Sequence, residues 1–188
     1  MFSTNTGRRM SRNAGMALGL ATVLFTGAVA LAGPASAATV TAQLDSGRIL
    51  VNGSSGDDGI EITLNPAGTV VTVSNTLGSV AAGSGCTQAG GAAQCPAGGI
   101  TRVEVFAGDG IDAIRNNTKL PSTLSGDNGI DTVNGGSGAD VLFGGFGDDT
   151  LNGRGGNDRL IGSVGTDTLN GGADTDRCDG EVETNCEL

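Results

Sequence analysis

GDNGIDTVN GGSGADVLF GGFGDDTLN GRGGNDRLI GSVGTDTLN GGADTDRCD, residues 126–179, is one nine-residue phrase written six times without a slip of register. Glycine opens every unit, at Gly126, Gly135, Gly144, Gly153 and Gly162 and again at Gly171, and glycine returns at the fourth place as Gly129, Gly138, Gly147, Gly156 and Gly165. The sixth place is always acidic: Asp131, Asp140, Asp149, Asp158, Asp167 and Asp176. The eighth is Val133, Leu142, Leu151, Leu160, Leu169 and Cys178, so an apolar side chain recurs with the period of the carboxylate.

Glycines at the opening and fourth places let the backbone take positive φ, so that carbonyl oxygens converge on one point. Such a turn suits a hard cation. Ca²⁺ takes six to eight oxygens in tolerant geometry, and one turn with one carboxylate supplies only part of that shell. The neighbouring turn must supply the rest. If two nonapeptides make one coil, units eighteen residues apart stack, giving one ladder of Asp131, Asp149 and Asp167 and a second of Asp140, Asp158 and Asp176. Stacked strands lie about 4.8 Å apart. Two like charges roughly 5 Å apart at an effective dielectric of about 20 repel by about 3 kcal/mol before screening. A few such pairs rival the stability of a small domain, so the roll is expected to fold only with Ca²⁺. Asp149, the middle rung, is expected to serve two sites, and Asp131, at the ladder start, fewer. A metal-free solenoid with Asn, Asp and Gly turns is the alternative, but it has no need of an acid at every sixth place.

The tract resembles the G-G-x-G-x-D-x-U-x nonapeptide of the repeats-in-toxin (RTX) calcium-binding proteins, here in a small, secreted bacterial form. The resemblance implies an all-β chain: a parallel β-roll, or β-solenoid, in which the first six residues of each unit form a Ca²⁺-holding turn and the last three a short strand. The aspartates and the first- and fourth-place glycines named above would be its metal-site residues, with roughly four ions as a floor. Ser163 replaces the second glycine of one unit and Arg154 that of another, where the cation would weaken the site.

Upstream the repeat thins. AGDGIDAIR (107–115) and GSSGDDGIE (53–61) are isolated in-phase copies, and Asp112 and Asp58 are expected to be surface turn acids. Residues 116–125 stretch the spacing to ten and carry no motif, predicting a metal-free spacer coil. Short β-rich runs at 40–44, 48–51, 60–64, 69–73 and 100–106 predict an N-terminal β region (38–106) that continues the solenoid rather than forming a sandwich. Residues 83–99 look too small and glycine-rich for a strand and predict a disulfide-closed loop projecting from the roll.

Arg8, Arg9 and Arg12, an apolar run from Met16 to Leu31 and the small residues Gly33 to Ala38 are ordered as in a secretory signal peptide, with cleavage after Ala37. The run is too short for a membrane anchor. Its removal leaves seven basic residues against twenty acids, a net charge of −13. That balance argues against nucleic acid and anionic membranes as partners and favours cations. The chain has no His, Trp or Tyr, which excludes histidine triads, histidine-ligated zinc and histidine acid–base work. An enzyme is not expected.

An exported chain predicts two disulfides from Cys86, Cys95, Cys178 and Cys186. Of three pairings, Cys86 with Cys95 and Cys178 with Cys186 close short loops. The second would tie 180–188 as a cap over the roll of 107–179. Zinc ligation fits none of the spacings. Two functions follow: an extracellular or cell-surface Ca²⁺-binding roll with a structural or adhesive role, or a non-catalytic accessory or effector whose N-terminal region binds an unknown partner. In large RTX members the repeats follow a toxin, protease or lipase domain and carry a C-terminal export signal, a plan from which this chain departs.

Overall fold

The computed structural model describes residues 39–187; the signal peptide expected at residues 1–37 lies outside them. The strands, in chain order, are β1 (Val40–Asp45), β2 (Arg48–Asn52), β3 (Gly59–Leu64), β4 (Val70–Asn75), β5 (Val80–Ala82), β6 (Thr87–Ala89), β7 (Ala92–Pro96), β8 (Arg102–Asp109) and β9 (Ala113–Asn117). There follow β10 (Ser122–Asn128), β11 (Thr132–Asn134), β12 (Val141–Phe146), β13 (Thr150–Gly155), β14 (Arg159–Val164), β15 (Thr168–Ala173), β16 (Arg177–Asp179) and β17 (Val182–Thr184). No helix occurs among the described residues.

The strands form two sheets, one ordered β16-β14-β12-β10-β8-β2-β1-β5 and the other β17-β15-β13-β11-β9-β3-β4-β7-β6, and from β8 onward they alternate between them. From β2 and β3 onward every pairing between coils is parallel. Within the repeats the register offset is eighteen residues, as in Leu124↔Leu142↔Leu160 and Val133↔Leu151↔Leu169. Two nonapeptides therefore make one coil, and the chain is a parallel β-solenoid. The eighth-place side chains stack in two inward columns, Val51–Val105–Leu124–Leu142–Leu160 and Ile60–Ile114–Val133–Leu151–Leu169, all fully buried. Strands of alternating pattern bury one face only, and facing columns of branched aliphatics fill the narrow interior.

The solenoid continues upstream to β2 and β3, as the valine and isoleucine rows predict. Beyond that coil both sheets extend differently, with β1–β2, β3–β4, β4–β7 and β6–β7 antiparallel. The expectation of a projecting loop at 83–99 is corrected: β6 and β7 form a hairpin that adds to the sheet through β4. Its small residues are what fit there. Ala93 and Cys95 are fully buried, and they pair with Val73 and Val71 of β4. The Gln88 side chain reaches across to donate to the carbonyls of Val80, Gly90 and Ala92. The disulfides are Cys86–Cys95 and Cys178–Cys186.

Candidate metal centre

Each sixth-place aspartate sits where a turn enters a strand, and all six are buried. The backbone N–H of four of them donates to Oδ1 of the aspartate one coil on: Asp131 to Asp149 at 2.8 Å, Asp149 to Asp167 at 2.9 Å, Asp140 to Asp158 at 2.8 Å and Asp158 to Asp176 at 2.8 Å. The two ladders inferred from the period are thus brought together as geometry. Asp131 is not the start of its ladder, however. Its Oδ1 accepts the Asp112 N–H at 2.8 Å, and Asp112 Oδ1 accepts the Asp58 N–H at 2.7 Å.

Asp58 and Asp112 are accordingly rungs rather than surface acids, each 2 % exposed. Fifty-four residues separate them along the chain, because β4 to β8 intervene before the solenoid resumes. That excursion hides the stacking from any search for a nine-residue period. In the second ladder the place below Asp140 is taken by Ser122, whose N–H and hydroxyl both donate to Asp140 Oδ1 at 2.7 Å. This coil of stretched spacing carries no carboxylate at its rung.

The second oxygens are the chemically open part of the arrangement. Among the described residues, the buried side-chain polar atoms without a hydrogen-bond partner are Oδ2 of Asp112, Asp131, Asp149, Asp158, Asp167 and Asp176. Each buried, unsatisfied acceptor costs about 1–3 kcal/mol, more if charged, and together they would consume the net stability of a domain. Space for a cation adjoins them. A Cβ built on Gly153 would run into both Asp158 Oδ2 and the Gly171 carbonyl oxygen. On Gly126 or Gly144 it would meet the oxygen of its own aspartate together with the carbonyl of Gly144 or Gly162, at 2.8 and 2.7 Å. Glycine at the first place therefore keeps open a cradle walled by a carboxylate of one coil and a carbonyl of the next. That donor set, hard oxygens from two coils, fits Ca²⁺.

Burial also raises the affinity of these groups for protons. It pushes the Asp112 carboxyl up to about 7, against the Asp58 N–H and aided by the charges of Asp131, Asp58 and Asp57. Asp158 is likewise pushed up to about 7 and Asp149 to about 6, and Asp131 is raised, with burial the largest cause in each. Asp140 is raised by burial too, but both its oxygens are engaged, Oδ2 by the Gly136 N–H at 2.7 Å, and the Arg154 charge lies near enough to oppose the shift. Arg154 Nη1 donates to the Asn116 carbonyl and to Asn117 Oδ1 at 3.3 and 3.2 Å, so this arginine braces the spacer coil. Asp58 is also fully engaged, by Ser54 N–H and the Asn75 side-chain amide.

Sequence reasoning missed two further carboxylates. Glu181 Oε2 accepts the Asp167 N–H at 2.9 Å and Glu187 Oε2 the Asp176 N–H at 2.5 Å, each in the role of a next rung. They follow their partners by fourteen and eleven residues, and no nonapeptide contains them.

A parallel β-solenoid of two nonapeptides per coil, with a buried carboxylate at its turns and an oxygen cradle beside it, is a calcium-binding β-roll. Residues 125–160 and 152–182 match the family model of the RTX calcium-binding nonapeptide repeat, in four copies. Residues 125–182 thus carry RTX calcium-binding nonapeptide repeats. No curated protein and no solved structure matches it.

Proposed function

We propose that this chain is exported by residues 1–37, that Ca²⁺ binding folds it outside the cell, and that it acts there as a structural or adhesive element. Residues 38–106 form its N-terminal β region, 107–179 the roll and 180–188 a cap. The observation that carries this reading is the set of six buried, unpartnered carboxylate oxygens, which a bound cation would satisfy. The ions lie between coils, held by Asp131, Asp149 and Asp167 on one ladder and by Asp158 and Asp176 on the other, with carbonyls of the first-place glycines. Asp112 joins the first ladder by the same criterion. A low cytoplasmic Ca²⁺ level keeps such a chain export-competent, and extracellular Ca²⁺ drives it to fold.

An adhesive role draws support from one edge of the roll. Phe146 and Val164 are in register on adjacent strands and are 63 % and 57 % exposed. Ile111 and Ile130, in turns of the same ladder, are exposed to a like degree. Clustered large apolar side chains in water mark interaction surfaces more often than scattered ones do. Calorimetric titration with Ca²⁺, with the mass of the chain recovered from the medium, tests the proposal. Several ions per chain, roughly four or more, and cleavage after Ala37 are expected. A chain that binds no Ca²⁺, or stays in the cytoplasm, contradicts it.

A further inference from the structure

Each rung of the second ladder receives three things from the coil that follows it. For Asp158 these are Asp176 Oδ1, which accepts its N–H at 2.8 Å, the Arg177 N–H, which donates to its carbonyl at 2.9 Å, and the Gly171 carbonyl, which borders the cradle at Gly153. No further nonapeptide follows Asp176, yet all three are supplied again. Glu187 Oε2 accepts the Asp176 N–H, the Glu187 N–H donates to the Asp176 carbonyl at 2.7 Å, and the Asn185 carbonyl borders the cradle at Gly171 together with Asp176 Oδ2. Asp176 is 1 % exposed, and that Oδ2 has no hydrogen-bond partner.

Asn185 and Glu187 flank Cys186, and Cys186 is bonded to Cys178, two residues beyond Asp176. Upstream of Cys186, β17 pairs with β15, and the Asn185 side-chain amide donates to Asn170 Oδ1 at 2.8 Å. Residues 181–185 and Glu187 are exposed, and only Cys186 is partly covered. Burial of apolar surface cannot be what sets the position of a carbonyl and a carboxylate on so exposed a segment. The β15–β17 pairing ends at Thr184, and the cross-link fixes Cys186, the residue between the two donors.

We propose that Asp176, the Asn185 carbonyl and Glu187 form an additional Ca²⁺ site, and that the Cys178–Cys186 disulfide is its positioning element. The proposal rests on the calcium-binding reading above. By linkage, the ion favours the closed disulfide as much as the disulfide favours the ion.

The test is the number of Ca²⁺ ions bound by the full chain, by calorimetry, for wild type, Glu187→Gln, Cys178→Ser/Cys186→Ser and the three changes combined. Each variant, the combined one included, should bind one ion fewer than wild type, because all remove the same site. An unchanged count and affinity, or a combined loss larger than either alone, overturns the proposal while leaving the calcium-binding reading intact. A wild-type chain that binds no Ca²⁺ overturns both. A second measurement needs no variant: calcium-loaded wild type is treated with a dithiol, which is oxidised to its cyclic disulfide as the two cysteines become thiols. Released Ca²⁺ is read against the thiols trapped at Cys178 and Cys186. One ion released per opened Cys178–Cys186 bond is expected. Release of none, or of every ion, contradicts a positioning role confined to this site.

Discussion

A single rung shows why aspartate is needed at the sixth place. Asp149 uses Oδ1 to accept the Asp131 N–H and leaves Oδ2 open toward the cradle, while its own N–H is held by Asp167. Asp149→Asn keeps the shape and an oxygen for the Asp131 N–H but removes the charge. It should weaken Ca²⁺ binding by ten-fold or more at the sites on either side, read as a right-shifted calorimetric titration. Asp131→Asn should now behave alike, since Asp112 stands behind it. Protons compete for the same oxygens. The folded-state carboxyls of Asp112, Asp149 and Asp158 lie at about 7, 6 and 7, above the ordinary value of 3.8. Between those values the metal-free folded chain holds more protons than the unfolded one, so its stability falls as pH rises from about 4 through about 7. The metal-free chain should show more β signal at pH 5 than at pH 8, and Ca²⁺ affinity should rise over the same window. A flat affinity profile would contradict buried, protonatable ligands. The six repeat aspartates were legible because their period never slips. Asp112, Asp58 and the two glutamates were not, because the stretched spacer coil shifts the first by one residue against Asp131, a long excursion hides the second, and a longer side chain at irregular spacing replaces the rung in the others.

At the level of the coil, the fourth-place glycine does what no other residue can. Gly147 sits at φ +130°, and a Cβ there would collide with the Gly129 carbonyl of the preceding coil. Gly147→Ala should cost more than the roughly 1–2 kcal/mol of a left-handed residue alone, since backbone must also move. Thermal unfolding in saturating Ca²⁺ should show a midpoint lowered by several degrees at least, whereas a substitution at Gly155, whose Cβ would meet nothing, should be mild by comparison. The strand–turn alternation and the two leucine-rich columns follow from the nine-residue pattern. The β6–β7 hairpin was obscured because glycine and alanine lower strand propensity, yet Ala93 and Cys95 are small enough to pack against the valines of β4. Tertiary packing overrode local preference there.

Along the repeats the core is two narrow aliphatic columns, and the turns on either side gather buried carboxylates whose open oxygens have no protein donor. Apolar columns favour the solenoid; stacked, dehydrated acids oppose it, and the chain outside residues 1–37 carries a net charge of −13. Calcium reverses the second effect without altering the first, so metal and fold should appear together. Far-UV circular dichroism of the metal-free chain at neutral pH, followed through a Ca²⁺ titration, tests this most directly. The account predicts a largely disordered spectrum that converts cooperatively to β structure as the ions bind. A full β spectrum in chelator, unchanged by Ca²⁺, would contradict it and leave the aspartates as turn formers only.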